Sequence, residues 1–239
     1  MTDLNKVFAI DKLEPKNFQN YLKVFIPEIN YALKNLLEEE ENTAICTALS
    51  SPFNNYISSA GKRHRPLLCI LACIAFNGDI NKAIRPACAI EVFHNSALIH
   101  DDIVDRSQTR HGQACLHKKI GEELAINAGD YGYFLAEKMI LDAQNLNKSE
   151  QLAVLQEFTV MAISTIKGQA MDISWGLGNT LSIKTKQYLE MAKRKTAYYS
   201  CAIPLVIGGI CAGAKNEQLE VLREFGLCAG LAFQITDDL

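Results

Sequence analysis

The feature that most constrains the fold of this chain is a long stretch without proline. The six prolines stand at positions 15, 27, 52, 66, 86 and 204, so none lies between Ala87 and Ile203. Proline breaks helix interiors and is common in turns, so such a stretch is easier to build from helices than from loops. Apolar residues recur at spacings of three and four, and no segment alternates with period two. The sequence predicts an all-α fold, a single domain over 1–239 packed as one large helical bundle.

Apolar periodicity and capping residues set the predicted element boundaries. A loop is expected at 50–55, where the sequence is SSPFNN, and a helix break is expected at Lys195-Thr196. No linker or internal repeat interrupts the pattern. The predicted helices cover about 17–41, 66–76, 80–105, 117–144, 149–174, 182–195, 197–213 and 215–239.

Composition excludes several classes of protein. Hydrophobic residues make up 49% of the 239 residues, too many for a disordered chain, and the formal charge of −3 does not suit a broadly basic nucleic-acid binder. No uncharged apolar run is long enough to span a bilayer, and the N-terminus lacks a secretory signal. The eight cysteines lie in apolar surroundings without a CxxC pair, which predicts reduced core thiols rather than a zinc site. We expect a cytoplasmic protein without a nucleic-acid partner or transmembrane segment.

Three acids close the helix that is predicted to end near residue 105. In Asp101-Asp102-Ile103-Val104-Asp105, the first and last aspartates are four residues apart and share one helix face. These acids repel each other and face the negative end of the helix dipole. Such a face is tolerable if it binds a hard cation, and Mg²⁺ prefers carboxylate oxygens together with water and substrate phosphates. A solvated, acid-rich helix end is the alternative interpretation.

Basic residues suited to phosphate occupy two turns. The first turn, Gly61-Lys62-Arg63-His64-Arg65-Pro66, precedes a helix that opens at Pro66, and a helix N-terminus favours anions. The second turn follows the acids and contains Arg106, Arg110 and His111. The two arginines can bind phosphate through a bidentate fork. Acids that can bind magnesium therefore lie next to arginines that can bind phosphate. This combination predicts a site for a magnesium diphosphate. Taken alone, the first turn is better interpreted as a solvated basic turn than as a phosphate site.

The end of the chain repeats the acidic theme. The last predicted helix ends in Asp237-Asp238, and two such helices facing each other would bring both acid pairs to one mouth of a bundle. Between them lie Lys195-Thr196 at the predicted break and, on another helix, Gln169 and Asp172, three residues apart.

The ordered set of motifs resembles the trans-isoprenyl diphosphate synthases, or polyprenyl synthetases, across roughly residues 55–239. The matching segments are DDIVD, GKRHRP, HDD, TRHG, GQAMDI, KT and FQITDD. The resemblance implies the isoprenoid synthase fold, with a bundle around a central cavity, and a homodimer. It implies head-to-tail condensation of isopentenyl diphosphate with an allylic diphosphate, which is dimethylallyl, geranyl or farnesyl diphosphate. It also implies a requirement for Mg²⁺, with three ions in each active site.

The same resemblance implies a role for each matching position. The implied magnesium ligands are Asp101, Asp105, Asp237 and Asp238. The implied substrate-binding residues are Lys62, Arg65 and His94 for isopentenyl diphosphate, Arg110 for the allylic diphosphate, and His111 beside it. The implied catalytic residues beside the developing carbocation are Lys195, Thr196 and Gln234. The supporting residues are Asp102, Gln169 and Asp172.

Two departures from the family pattern stand out. The family usually has two arginines where this chain has Arg110-His111, which implies weaker or more pH-sensitive binding of isopentenyl diphosphate. The family's second acid motif has a third aspartate beyond the last residue, Leu239. We therefore expect a chain truncated within that motif.

Small residues before the first acid motif predict the product length. In this family the cavity floor is set on that helix, and Ser96 and Ala97 are too small to block a growing chain. Phe93, one turn deeper, would close the cavity. The expected product is the twenty-carbon geranylgeranyl diphosphate, with a farnesyl or longer-chain diphosphate synthase as the alternative. A non-catalytic regulatory subunit, favoured only by His111, and a terpene cyclase, disfavoured by the basic turn at 61–66, are rival interpretations.

Overall fold

The computed structural model describes residues 18–41, 47–58, 61–178 and 182–239. These residues are almost entirely helical, which confirms the predicted all-α fold. The α-helices are α1 (Phe18–Glu41), α2 (Thr47–Ser58), α3 (His64–Ala75), α4 (Ile80–Val104), α5 (Leu116–Ile120), α6 (Glu122–Leu141), α7 (Lys148–Gly176), α8 (Thr185–Ala192), α9 (Ile203–Cys211) and α10 (Asn216–Asp237). A π-helix (Lys193–Ala202) lies between α8 and α9, and a short hairpin, β1 (Thr109–Arg110) with β2 (Gln113–Ala114), follows α4. None of the described helices is long and apolar enough to cross a membrane.

The chain divides into two compact units. The first unit contains Leu68–Ala83 and Gln144–Leu239, and the second contains Ile84–Ala143 with the described residues up to Leu67. The core of the first unit includes α9, of which every residue is buried. The core of the second unit includes the fully buried side chains of Phe25, Ile29, Phe53, Ile90 and Phe93. That the whole chain is a single domain stays a prediction.

Two predicted boundaries were wrong for local reasons. The segment SSPFNN, expected as a loop, lies within α2, because Phe53 and Ile57 are buried and their burial outweighs the turn propensity of the serines and asparagines. The helix expected at 117–144 is two helices, α5 and α6. They are separated at Gly121, whose φ of 88° lies in the left-handed region that glycine adopts most readily.

The helix break expected at Lys195-Thr196 is absent from the structure. Both residues lie in the π-helix, whose first and last residues, Lys193 and Ala202, have right-handed helical dihedrals, so the helix runs on from α8 into α9. In a π-helix each N–H bonds to the carbonyl five residues back, which widens the turn. Such segments occur often at functional sites. The widened segment of ten residues contains the two residues at which the sequence predicted a break.

Most of the cysteines lie where the sequence predicted them. The five buried cysteines of the described residues are Cys69, Cys73, Cys88, Cys115 and Cys211. Burial raises the pKa of Cys73 to about 11 and that of Cys88 to about 12, which keeps both as unreactive thiols near neutral pH. Contrary to the expectation of core thiols, Cys228 is exposed and Cys201 is only partly buried. Cys46 lies outside the described residues.

Candidate active site

The three acids of the first motif end α4 and differ in exposure. The backbone N–H of Asp105 donates to the Asp101 carbonyl over 2.9 Å, so the last turn is helical and both side chains project on one face. Asp105 is exposed and the Asp101 side chain is 26% exposed. Asp102 is only 1% exposed. The motif therefore presents two carboxylates outward and turns the third inward.

Asp102 holds Arg110 in place. The Arg110 guanidinium donates to Asp102 Oδ1 from Nε over 2.9 Å and from Nη2 over 2.5 Å, and the Tyr56 hydroxyl donates to Oδ2 over 3.3 Å. The bonded carboxylate raises the pKa of Arg110, and burial together with the same carboxylate raises the pKa of Tyr56. Arg110 Nη2 also lies 4.0 Å from Asp101 Oδ2. A fixed cation therefore lies beside the outward acids. The role of Tyr56 was not predicted from the sequence.

The short hairpin sets the position of Arg110. Arg110 pairs with Gln113 across β1 and β2, and the turn between them has two consecutive positive φ values, 52° at His111 and 77° at Gly112. Such values fit the tight turns that join antiparallel strands. The turn leaves the His111 side chain exposed at its tip. Arg110 and His111 are thus neighbours in sequence with different environments.

In the basic turn at 61–66, one cation is structural. Arg63 is 3% exposed and has a φ of 50°. Its guanidinium donates to Glu91 Oε1, to the Ile57 carbonyl and to Asn30 Oδ1, over 2.7, 2.7 and 2.8 Å. These bonds tie the turn to α1, α2 and α4. Arg63 therefore serves the fold, whereas Lys62 is exposed.

Basic side chains of both turns lie near enough to His94 to act on its charge, and one of them, Arg65, is only 6% exposed. The pKa of His94 lies well below its ordinary value, first because of burial and then because of the nearby charges of Arg65, His64 and His111. Arg65 Nη1 lies 3.4 Å from His64 Nε2. The two turns therefore contribute to one positively charged surface of the second unit. Such a surface suits an anion.

The residues expected to set the product length are mostly packed. Phe93 is 1% exposed, and its ring centroid lies 5.1 Å from that of Tyr133 on α6. Ser96 is fully buried and donates to the Val92 carbonyl over 2.9 Å. A methyl group added at Gly132 would lie 2.0 Å from Ser96 Oγ, so α4 and α6 touch there. Ala97 is partly exposed.

In the first unit, Lys195 meets Asp172. Lys195 Nζ donates to Asp172 Oδ2 over 2.5 Å, which joins the π-helix to α7. Thr196, the next residue, is buried. Gln169 lies on α7 one turn before Asp172 and is partly exposed. The residues of the KT and GQAMDI motifs are therefore neighbours in space.

The end of α10 forms a second small network. Gln234 Nε2 donates to Asp238 Oδ1 over 2.8 Å, and the Tyr188 hydroxyl donates to Oδ2 over 2.5 Å. The bonded carboxylate raises the pKa of Tyr188 to about 12. Asp237 is exposed. Tyr188, fifty residues from Asp238, carried no signal in the sequence.

The acids of α4 fit an ion that arrives with phosphate. Within the described ranges, no three His, Cys, Asp or Glu side chains meet in a cluster that could hold a metal ion. Magnesium does not need such a cluster, because it usually binds one or two carboxylates and completes its shell with waters and substrate phosphates. Asp101 and Asp105 place two carboxylates of that kind on one helix face.

A close contact at Gly168 leads to a testable prediction. A methyl group at this position of α7 would lie 2.3 Å from the Lys195 backbone nitrogen, so Gly168→Ala is expected to displace the π-helix and destabilise the protein by about 1–3 kcal/mol. Gly176→Ala is the matched control, because nothing lies within 4 Å of a methyl group at the end of the same helix. Thermal unfolding followed by circular dichroism measures both. Equal melting temperatures for the two variants would contradict the contact.

Comparison with known proteins gives a consistent result. The model of the polyprenyl synthetase family matches residues 46–239. Geranylgeranyl diphosphate synthase of Saccharolobus solfataricus is 33% identical over 221 residues, which cover 92% of this chain and 64% of that protein. The structure of geranylgeranyl pyrophosphate synthetase from the archaeon Geoglobus acetivorans has a TM-score of 0.82 at 29% identity, covering 93% of this chain and 69% of that one. The corresponding synthase from Corynebacterium glutamicum, complexed with isoprenyl diphosphate and magnesium, has a TM-score of 0.82 at 26% identity, covering 95% and 68%. This chain therefore spans less than two thirds of the Saccharolobus solfataricus relative.

Proposed function

Because the chain belongs to the polyprenyl synthetase family, we propose that it is a prenyltransferase that joins isopentenyl diphosphate head to tail with an allylic diphosphate. The proposed product is geranylgeranyl diphosphate. Relatives with that activity in their names support this choice. The single observation that carries the proposal is the end of α4, where Asp101 and Asp105 face outward while buried Asp102 holds Arg110 beside them.

The allylic diphosphate is proposed to bind at that helix end. Magnesium, up to three ions when bound, would neutralise the diphosphate and make it a better leaving group. Asp101 and Asp105 are its proposed ligands in the second unit, and Asp237 and Asp238 are the proposed ligands in the first. Arg110 would hold a phosphate oxygen through the N–H groups of its guanidinium that are not bonded to Asp102. That both acid motifs act on the same diphosphate is a prediction from the family resemblance.

Isopentenyl diphosphate is proposed to bind the basic region around His94. Lys62 and Arg65 would contribute permanent charge. His94 and His111 would add ring N–H donors to the phosphate oxygens.

Backbone and amide oxygens are proposed to face the developing carbocation. The shifted hydrogen bonding of the π-helix changes which carbonyls near Lys195 and Thr196 are engaged. The Gln234 amide donates its N–H to Asp238, so its oxygen is turned away from that bond. Lys195 would add positive charge near the diphosphate. Asp172 and Gln169 lie near Lys195 and would support it. The substrate double bond attacks the cation, a proton then leaves, and no side-chain nucleophile takes part.

Product length is proposed to depend on Ala97 and Phe93. Ala97 is the partly exposed member of the small pair, and it leaves room for a chain longer than fifteen carbons. Phe93 would limit growth further down. The proposed homodimer and cytoplasmic location stay predictions from the resemblance and from composition.

The test is an assay of the chain with radiolabelled isopentenyl diphosphate, magnesium and each allylic primer in turn. Chromatography of the dephosphorylated products should show a twenty-carbon alcohol. A pure fifteen-carbon product would contradict the proposed length. Product formation from a radiolabelled allylic primer without isopentenyl diphosphate would favour a terpene cyclase. Absence of turnover with every primer would favour a non-catalytic partner of an active synthase.

His111 provides a prediction about substrate binding. In His111→Arg, a guanidinium that can bind phosphate through a bidentate fork replaces an imidazole that cannot, so KM for isopentenyl diphosphate should fall by about tenfold at pH 8. Steady-state kinetics at that pH measure the effect. Gln156→Arg is the control, since it adds the same group at an exposed position of α7 in the first unit. An equal fall of KM in both variants would contradict the role of His111.

A further inference from the structure

The first unit contains a groove whose lining residues have no role in the proposed condensation. It runs between α7 and the segment formed by α8 and the π-helix, and its volume is about 320 Å³. This is at the small end of the range of about 300–1,000 Å³ that is typical of pockets for small molecules. The groove therefore has room for a small ligand.

The groove carries an excess of positive charge. Lys167 and Lys193 line it, and within the described part of the chain neither side chain has an ion pair or hydrogen bond. Glu190, the acid of the lining, is bound to Arg194 over 2.6 Å. These two residues cancel each other's charge, and the two lysines are left to attract an anion.

One wall of the groove is apolar, although it is open to solvent. Val160 is 53% exposed and Ile163 is 49% exposed. Ser164 and Tyr198 also line the groove, and each carries a hydroxyl group that can donate a hydrogen bond. Ammonium groups, hydroxyls and an apolar wall together suit an anion that carries a hydrocarbon chain.

The groove is distinct from the Lys195–Asp172 pair, although both use α7 and the π-helix. Lys167 and Asp172 are five residues apart, which separates them by about 140° around an α-helix. Gly168, at the helix crossing, stands between the two faces. A ligand in the groove would therefore not occupy the position of that ion pair.

We propose that this groove binds a phosphate ester of an apolar alcohol. The phosphate would lie between Lys167 and Lys193, with Ser164 and Tyr198 as further donors. The hydrocarbon chain would cover Val160 and Ile163. The same chemistry describes a free alkyl or prenyl phosphate and the head group of an anionic lipid, and the experiment below separates these sources.

Isothermal titration calorimetry with octyl phosphate tests the proposal. EDTA is present throughout, so that no magnesium-dependent binding contributes and the result does not depend on the proposed enzyme activity. The chain is expected to bind one octyl phosphate. Inorganic phosphate should bind at least about tenfold more weakly, because it lacks the apolar chain.

Charge-matched variants locate the binding. Lys167→Gln/Lys193→Gln should weaken octyl phosphate binding by about tenfold or more. Lys23→Gln/Lys118→Gln removes two exposed charges from the other unit and should leave binding unchanged. Equal weakening in both double variants, or no binding of octyl phosphate by the unaltered chain, would overturn the proposal. Circular dichroism verifies that each variant is folded.

Vesicles distinguish the two sources of ligand. Phosphatidylcholine vesicles with about one fifth phosphatidic acid are sedimented with the chain and with each double variant. Co-sedimentation that is lost in Lys167→Gln/Lys193→Gln would support the groove and assign it to a lipid head group. Octyl phosphate binding without co-sedimentation would support the groove and assign it to a free phosphate ester.

Discussion

Replacing Asp101 with asparagine is expected to lower kcat by about a thousandfold, a loss of the size seen when one group that stabilises developing charge is removed. Asp101 is one of the two outward carboxylates at the end of α4, and Arg110 Nη2 lies 4.0 Å from it. The amide keeps the size of the side chain but removes the charge that magnesium requires. Arg110 would keep its bonds to Asp102, so the local structure should survive.

Turnover measured against magnesium concentration checks this expectation. The half-saturating concentration of magnesium should rise along with the fall in kcat, whereas the melting temperature should stay the same. Asp142→Asn is the control, because Asp142 is an exposed residue paired with Lys138 at the end of α6. A thousandfold loss at unchanged magnesium dependence would show that Asp101 acts other than as a metal ligand.

Replacing Arg63 with methionine is expected to destabilise the protein by about 3–5 kcal/mol, because it leaves the Glu91 carboxylate buried and uncompensated. The side chains of Arg63 and Glu91 are 2% and 4% exposed, and their closest atoms are 2.7 Å apart. The change also removes the bonds to Asn30 and Ile57. Many domains have a total stability of about 5–15 kcal/mol, so this single loss is large.

Urea denaturation at pH 7 measures the change in the free energy of unfolding. Arg85→Met is the matched control, since the pair of Arg85 with Glu39 is partly exposed and should contribute no more than about 1 kcal/mol. The double variant Arg63→Met/Glu91→Met should recover part of the loss, because no buried charge then remains without a partner. A cost for Arg63→Met as small as that of the control would refute the structural role of Arg63.

The parts of the site that sequence predicts are those fixed by helical spacing. Asp101 and Asp105 share a face because they are four residues apart on a helix, and no tertiary contact is needed for that. The pairing of Arg110 with Asp102 depends instead on a hairpin turn with a histidine at positive φ, which the sequence does not indicate. The outward acids could therefore be predicted, and the residue that fixes the arginine beside them could not.

Buried charges were harder to predict than exposed ones. A run of bases at 61–66 suggests a solvated or phosphate-binding turn, and nothing within the run singles out Arg63. One signal was present further along the chain, because Glu91 is a lone acid within the apolar sequence CAIEVF. Such an acid requires a buried partner. Long-range pairs such as Tyr188 with Asp238 left no comparable trace.

The π-helix has a consequence for aligning this chain with others. A π-turn contains one residue more than an α-turn, so a chain that is α-helical throughout this segment reaches α9 with fewer residues. An ungapped alignment across Lys193–Ala202 would then be out of register beyond it, and each residue of offset turns a side chain by about 100° around the helix. A one-residue insertion or deletion usually destabilises a buried helix strongly. In this segment it can be accommodated by exchanging a π-turn for an α-turn or the reverse. Without a gap, equivalences drawn for α9 and α10 hold only where the related chain shares the wide turn.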